Sequence, residues 1–349
     1  MTVRWALLGT GRHAERSVVG SLRQADGGEL VAVMSRDRAR GEAFAQKHGI
    51  ARVHDSLAAV LADGAIDAIY DTTPDALHAP HAIAAADAGK HVLVEKPLAM
   101  SVAQGLQAIE ACRRRGVTLG VVFNQRHEPA HQEARRLVRE GAIGDVVLAE
   151  VQIPLQSIAP PPEPRAWSWR TDPAMRAGGI AISIGDHAHD TLSYLIGQQV
   201  EEVAAFTDAT RDNPPDERVA GLLLKLSQGA IGYAVATRVT PFARRPFEIH
   251  GTKGTILIEN SYLYLTGGNA DAKPRLTVIT EDGERVQSFA PADCFRLEVE
   301  RFNRAIAGLE PPMTTPDEGL RAVAIGEAIY QAVRTGCAQT IEAFLPGGG

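Results

Sequence analysis

Val3-Arg4-Trp5-Ala6-Leu7-Leu8-Gly9-Thr10-Gly11-Arg12-His13-Ala14 opens the chain with a short apolar run that ends in G-x-G-x-x-A. A run of this length, rich in Val, Trp and Leu, suits a buried strand. Two residues without side chains directly after it let the backbone turn tightly. They also let its amides approach a pyrophosphate at the N-terminus of the next helix, for which Glu15–Arg23 is compatible. Gly-rich turns are common, so the motif gains weight from its place on the first strand of an alternating pattern. Gly9, Thr10, Gly11, Arg12, His13 and Ala14 are therefore the first candidate cofactor residues.

Downstream, the short apolar runs Leu30–Met34, Asp67–Asp71, His91–Val94 and Val117–Phe123 alternate with Ala-rich stretches such as Ala76–Ala88 and Val102–Arg114, which stop near Gly89 and Gly116. Strand–helix alternation predicts an α/β N-terminal Rossmann dinucleotide-binding domain with a parallel sheet, over residues 1–125. A helix over Glu128–Glu140 and a strand over Asp145–Ile153 follow. From about residue 200 to 288 the texture turns β-rich. Val219–Leu226 and Ala230–Thr237 flank the Ser227-Gln228-Gly229 turn, and Phe247–His250, Thr255–Glu259 and Leu276–Thr280 follow. This predicts an α+β C-terminal domain with a large, mostly antiparallel open sheet over 126–335, carrying helices on one face. Helices over Phe295–Ala307 and Asp317–Thr335 are expected to be able to pack back on the first domain, leaving 336–349 as a C-terminal tail. Pro160-Pro161-Pro162 and Asn213-Pro214-Pro215-Asp216 read as surface loops, and Gly347-Gly348-Gly349 as a frayed end.

Length and composition agree with two globular domains: 349 residues, 45% hydrophobic and 22% charged. The net charge of −6 supplies no positive field for nucleic acid. No run approaches the roughly 18 apolar residues of a membrane span, and no charged-then-apolar leader precedes Val3. Cys112, Cys294 and Cys337 lie far apart without C-x-x-C, which argues against a disulfide framework or thiolate zinc site and suits a reducing cytoplasm.

The end of the second strand bears on the nucleotide. An acid there would hold the ribose diol of NAD, but Ser35 and Arg36 stand in that place, followed by Asp37 and Arg40. A hydroxyl and a guanidinium suit a 2′-phosphate, which favours NADP(H). In the alternative, NAD(H) binds, Asp37 takes the diol, and the arginines are a solvated helix start.

The segment His91-Val92-Leu93-Val94-Glu95-Lys96-Pro97-Leu98-Ala99, preceded by Thr72-Thr73-Pro74-Asp75-Ala76-Leu77-His78, resembles the signature of the Gfo/Idh/MocA family of nicotinamide oxidoreductases. Asn124-Gln125-Arg126, Trp169-Arg170 ahead of Gly178-Gly179, Gly185-Asp186-His187 and His250-Gly251-Thr252-Lys253-Gly254 extend the resemblance over nearly the whole chain. It implies the two-domain fold read above, and a homodimer or homotetramer formed through the open sheet. It also implies a carbohydrate-like substrate, with 1,5-anhydrofructose-type keto sugars as the first guess.

Hydride transfer to a carbonyl needs a cation to polarise the oxygen and a group to exchange a proton. By resemblance Lys96 supplies the first, beside a Lys96–Pro97 bond that is often cis, and His187 the second. Thr72, Thr73, Pro74, His78, Glu95, Pro97 and Asn124 join the cofactor side by the same resemblance, as does Lys96, which is expected to reach the nicotinamide ribose as well. If Ile180–Leu195 is helical, Ser183, Asp186, His187 and Asp190 share one face. That stripe either lines a cleft, with Asp190 orienting the imidazole, or is a solvated face. Most members carry Asp where Ser183 stands. Either Ser183 only orients the substrate, or Asp186 supplies the carboxylate, or the chemistry has changed. Arg126, Trp167, Trp169, Arg170, Arg176 and Asp190 are candidates for the substrate pocket, with interface packing as the alternative for the tryptophans. His187-Ala188-His189 diverges on a helix and makes no metal site. Competing functions are a dehydrogenase of an inositol or dihydrodiol ring, a redox-neutral enzyme with tightly held cofactor, and a non-catalytic NADP-binding sensor.

Overall fold

A computed structural model describes residues 2–154, 169–210, 217–240, 247–261 and 273–347. The described residues divide into two compact units. One lies within Met1–Asn124, Glu163–Ala177 and Asp293–Val323, the other within Gln125–Pro162, Gly178–Ala292 and Ala324–Gly349. The chain thus passes between units more often than a single cut after residue 125 implies.

In the first unit β1 (Val3–Leu8), β2 (Gly28–Met34), β3 (Arg52–His54), β4 (Ala68–Asp71), β5 (His91–Glu95) and β6 (Leu119–Val122) form a parallel sheet in the order β3-β2-β1-β4-β5-β6. Burial of Trp5, Leu7, Leu8, Ile69, Tyr70, Val92 and Leu93 explains why these strands read as apolar runs rather than alternating ones. The order reverses at β1, so the carboxyl ends of β1 and β4 flank the crevice where open α/β sheets take ligands. The crossovers are α1 (Val19–Gln24), entered through a π-helical turn at Ala14–Val18, then α2 (Arg38–His48), α3 (Leu57–Ala62), α4 (Asp75–Asp87) and α5 (Val102–Arg115). The Ser101 hydroxyl accepts from the Gln104 amide at the start of α5, and Gly116 ends it with φ 67°. Pattern reading passed over β3 and α3, which are short, and met α2, studded with charge, only as the alternative of a solvated helix start.

Residues far down the chain complete this unit. α9 (Cys294–Ile306) places Phe302 against Trp5, ring centroids 5.7 Å apart, and the Trp5 indole N–H donates to Asn303 Oδ1 at 3.0 Å. Ser21 Oγ donates to the Asp293 carboxylate at 2.8 Å. α10 (Pro316–Thr335) contributes residues through Val323 here and the remainder to the second unit.

The second unit holds α6 (Pro129–Arg139), β7 (Val146–Pro154), α7 (Ile180–Ser183), α8 (Gly185–Ile196), β8 (Val200–Thr207), β9 (Val219–Leu226), β10 (Ile231–Thr237), β11 (Phe247–Gly251), β12 (Gly254–Glu259), β13 (Arg275–Thr280), β14 (Gly283–Ser288) and β15 (Gln339–Thr340). Among the described residues the sheet runs β14-β13-β12-β11-β7-β10-β9-β8-β15, antiparallel except between β7 and β10. α8 packs on β7 and β10, where Leu192 lies close over Gly232. On the opposite face Ala204, Leu223 and Tyr233 stand side by side across β8, β9 and β10. Phe206 (83% exposed) and Leu223 (54%) leave that face apolar and open.

Two expectations need correcting. The stretch after residue 335 is not a free tail: β15 pairs with β8, and Ile341 behind it is fully buried. Ile180–Leu195 is not one helix. Ile184 leaves helical geometry (φ −125°, ψ −38°), α7 stops at Ser183 and α8 starts at Gly185. Trp167, the Pro160–Pro162 and Asn213–Asp216 loops, Gly348 and Gly349 lie outside the described residues.

Candidate active site

In the first unit, the carboxyl ends of five parallel strands, β1, β2, β4, β5 and β6, carry the cofactor-side residues. Gly9, with φ 98°, follows β1 and its amide donates to Met34 O at 3.0 Å. Thr72 follows β4; its amide and hydroxyl both donate to Leu8 O, at 3.0 and 2.7 Å. A Cβ on Gly9 would come within 2.9 Å of Thr72 Oγ1, so only glycine fits this conformation and approach. Gly11 faces open space, as a turn cradling phosphate requires. Arg12 is exposed and Ala14 buried where the chain turns into helix.

At the end of β2 the buried Ser35 accepts from the Thr10 hydroxyl at 3.3 Å. Among the described residues Arg36 is exposed and makes no ion pair or hydrogen bond. Asp37 instead turns back as the N-cap of α2, accepting from the Arg40 amide at 3.1 Å, and the Arg40 guanidinium lies 3.6 Å from it. The carboxylate that would hold a diol is thus engaged with its own helix.

Lys96 follows β5 and forms a cis bond to Pro97. Two contacts fix the surrounding turns. His78 sets one ring nitrogen 2.7 Å from Pro97 O and the other 2.9 Å from Thr73 O, stapling the Thr73-Pro74 turn to the Lys96-Pro97 turn. Glu95 accepts from His13 at 2.8 Å and from the Tyr70 hydroxyl at 3.0 Å. Burial pushes the Glu95 carboxyl up, but His13, Tyr70 and Lys96 outweigh it and hold it below the usual carboxylate range. His13 and Glu95, both expected to touch cofactor, are thus bonded to each other. Asn124 is buried at the start of the 3-10 turn Asn124–His127.

Asp71, at the end of β4, is fully buried. It accepts from the Thr73 amide and hydroxyl at 2.9 and 2.6 Å and from His81 at 2.8 Å. Burial raises its carboxyl, yet His81, His78 and Thr73 together hold it below the usual range. Sequence reading missed this support, although a carboxylate ending an apolar strand at the ligand end of a sheet is a signal. Arg176 lies in a segment pinned to the start of α4: the Ala177 amide donates to Asp75 Oδ2 at 2.9 Å and the Ala76 amide to Met175 O at 3.3 Å. Arg170 stacks on Trp169, guanidinium carbon 4.1 Å from the ring centroid.

In the second unit, the break at Ile184 separates Ser183 from the other three members of the expected stripe. Asp186, His187 and Asp190 are buried on α8, so the solvated-face reading fails. Asp186 lies 3.4 Å from His189 Nε2. Asp190 grips Arg126 through both oxygens, at 3.1 and 2.7 Å, with the two side chains 7% and 6% exposed, and Arg126 also lies over the Tyr194 ring. These two substrate-pocket candidates are therefore partners in one buried ion pair. His131 is a different kind of histidine: it faces Gln125 O at 2.8 Å, and burial pushes it down to about 4. Ser183 Oγ accepts from Arg238 Nη2 at 3.3 Å.

Glu217 and Tyr330 flank the same turn: Tyr330 accepts from the Gly179 amide at 2.9 Å, and Glu217 accepts from the Ala181 amide at 2.8 Å. Nothing in the sequence separates Tyr330 from an ordinary core aromatic, and Glu217 follows a Pro-rich loop that pointed only to the surface.

Among the described residues no group of three His, Cys, Asp or Glu could hold a metal ion, and no helix is long and apolar enough to cross a membrane. Cys112 and Cys294 are buried and Cys337 is exposed.

Residues 3–123 match the model of an oxidoreductase family with an NAD-binding Rossmann fold, and residues 131–257 match that of the GFO/IDH/MocA C-terminal domain. The chain is similar to 1,5-anhydro-D-fructose reductase of Ensifer adhaerens, 32% identical with 98% of this chain and 99% of that protein covered. It is equally similar, at 32% identity, to D-xylose 1-dehydrogenase (NADP(+)) 2 of Haloferax volcanii, over 97% of this chain and 99% of the relative. Among solved structures it resembles aldose-aldose oxidoreductase from Caulobacter crescentus complexed with glycerol. That match has a TM-score of 0.85 and 25% identity, over 97% and 100% of the two chains.

Proposed function

Because the chain belongs to the Gfo/Idh/MocA family of oxidoreductases, we propose that it is an NADP(H)-dependent enzyme acting on a cyclic sugar-like ketone or alcohol, with 1,5-anhydrofructose-type keto sugars first. The observation that carries this reading is the Lys96 turn. A cation stands at the carboxyl end of β5 in a loop fixed by His78 and Glu95, on the sheet edge that also carries the Gly9–Thr72 crevice. The nicotinamide, when bound, carries the hydride. Lys96 polarises the reacting oxygen, and His187 exchanges the proton with it. Trp169, Arg170 and Arg176 offer a stacking face and directed donors to a polyhydroxy ring. Three widely spaced cysteines without C-x-x-C suit a reducing compartment such as the cytoplasm.

Arg36 supports NADP(H), since an exposed guanidinium that makes no ion pair or hydrogen bond among the described residues, beside Ser35, is a ready 2′-phosphate ligand. Consumption of NADPH and NADH against a panel of keto sugars, inositols and dihydrodiols tests both parts. The expected result is turnover of a keto sugar with NADPH preferred. Arg36→Ala should raise the KM for NADPH by roughly 10–100-fold, the worth of charge-assisted hydrogen bonds, and leave NADH within about twofold. An unchanged NADPH KM would remove Arg36 from the nucleotide site, and turnover confined to inositols or dihydrodiols would replace the keto sugar as substrate.

The open face around Phe206, Leu223 and Tyr233 supports a homodimer or homotetramer through the second sheet. Leu223→Glu, which plants a charge in that face, should yield monomer in sedimentation velocity where the parent sediments as an oligomer. An identical sedimentation profile for the two would rule this interface out.

A further inference from the structure

The first four amides of a helix have no partner within it, and a single turn such as α7 does not hold itself together. Here three successive amides are answered from outside. The Gly179 amide donates to the Tyr330 hydroxyl at 2.9 Å, the Ile180 amide to the backbone oxygen of Glu217 at 3.4 Å, and the Ala181 amide to Glu217 Oε1 at 2.8 Å. Tyr330 in turn donates to Glu217 Oε1 at 3.1 Å, joining the two side chains. The fit leaves no room: a Cβ on Gly178 would fall inside the Tyr330 phenol, and one on Gly179 inside the Glu217 carboxylate.

At the far end of the turn Arg238 Nη2 donates to Ser183 Oγ, so the hydroxyl hydrogen points away from the guanidinium. Glu217 lies two residues before β9 and Arg238 directly follows β10. Because Val219 pairs with Thr237, and the Arg238 amide donates to Arg218 O at 3.0 Å, both side chains leave the same end of one hairpin. Glu217 is 2% exposed, and burial raises its carboxyl. An apolar contact would stabilise the fold at lower cost.

We propose that Glu217, Tyr330 and Arg238 are positioning residues for the reaction, clamping the Gly178–Ser183 turn so that Ser183 and the helix bearing His187 meet the substrate in one geometry. The proposal rests on the reading of Ser183 and His187 as site residues. Misplacing a catalytic group by about 1 Å can cost on the order of 10²-fold in rate, whereas loss of a purely structural contact lowers only the number of working molecules.

The test is steady-state kinetics of the full chain with NADPH and the best keto sugar of the panel, with kcat expressed per NADPH-binding site. Tyr330→Phe and Glu217→Leu should each lower kcat by about 30-fold with the sugar KM within about threefold. Glu217→Gln, which keeps an acceptor for the Ala181 amide, should recover most of what Glu217→Leu loses. If Glu217→Leu does not fold, Tyr330→Phe decides alone. A kcat per site within about threefold of the parent for Tyr330→Phe, while His187→Asn is inactive in the same assay, overturns the proposal and leaves the site reading intact. Full activity of His187→Asn, or a parent inactive on every substrate, overturns the site reading and the proposal with it.

Discussion

Lys96→Met should lower kcat by roughly 10²–10⁴-fold, the range for a group that assists at the reacting oxygen, while NADPH still binds. Methionine keeps most of the apolar stem of lysine and removes the terminal ammonium, with its charge and its donors. The turn around it is also held by contacts that Lys96 does not itself make: His78 between Pro97 O and Thr73 O, and Glu95 by His13 and Tyr70. The expected pattern is therefore a fall in kcat with an NADPH dissociation constant within about threefold, read by fluorescence titration. A kcat within threefold of the parent would mean that another group polarises the substrate.

Asp190→Ala should destabilise the protein by about 3–5 kcal/mol, because it strands the Arg126 charge in a site where both side chains are under a tenth exposed. In a unit of this size that corresponds to a melting temperature lower by roughly 10 °C. The double variant Arg126→Met/Asp190→Leu, which removes both charges, should recover a large share of the loss. Urea titration of the three proteins measures this. A single-variant loss below about 1 kcal/mol would show that Arg126 finds another anion or water, and would return it to the list of substrate ligands.

The first unit was legible from Val3–Ala14 outward because parallel strands buried on both faces announce themselves as apolar runs, and glycines mark the turns where backbone must approach closely. Lys96 and His187 are proposed as site residues on motif resemblance. The supports behind them were not legible: Asp71–His81, Glu217–Tyr330 and Arg126–Asp190 each join residues 10 to 113 positions apart, and spacing along the chain carries no trace of such pairs. The Ser183 stripe failed for a related reason. The 3.6-residue period runs through Ile184 without interruption, so neither the departure of Ile184 from helical geometry nor the contacts that Glu217 and Tyr330 make with the amides opening α7 leave a mark in any local pattern.

The Trp5–Asn303 bond has a consequence for synthesis on the ribosome. Its partners lie 298 residues apart, and at about 5–20 residues per second the indole waits on the order of 15–60 s for its acceptor. Over that interval the nucleotide-binding sheet is translated but lacks α9, whose Phe302 covers Trp5. The first unit to be made is therefore among the last to be finished, and a truncated product ending before Cys294 would leave that apolar surface open to chaperones or to other nascent chains.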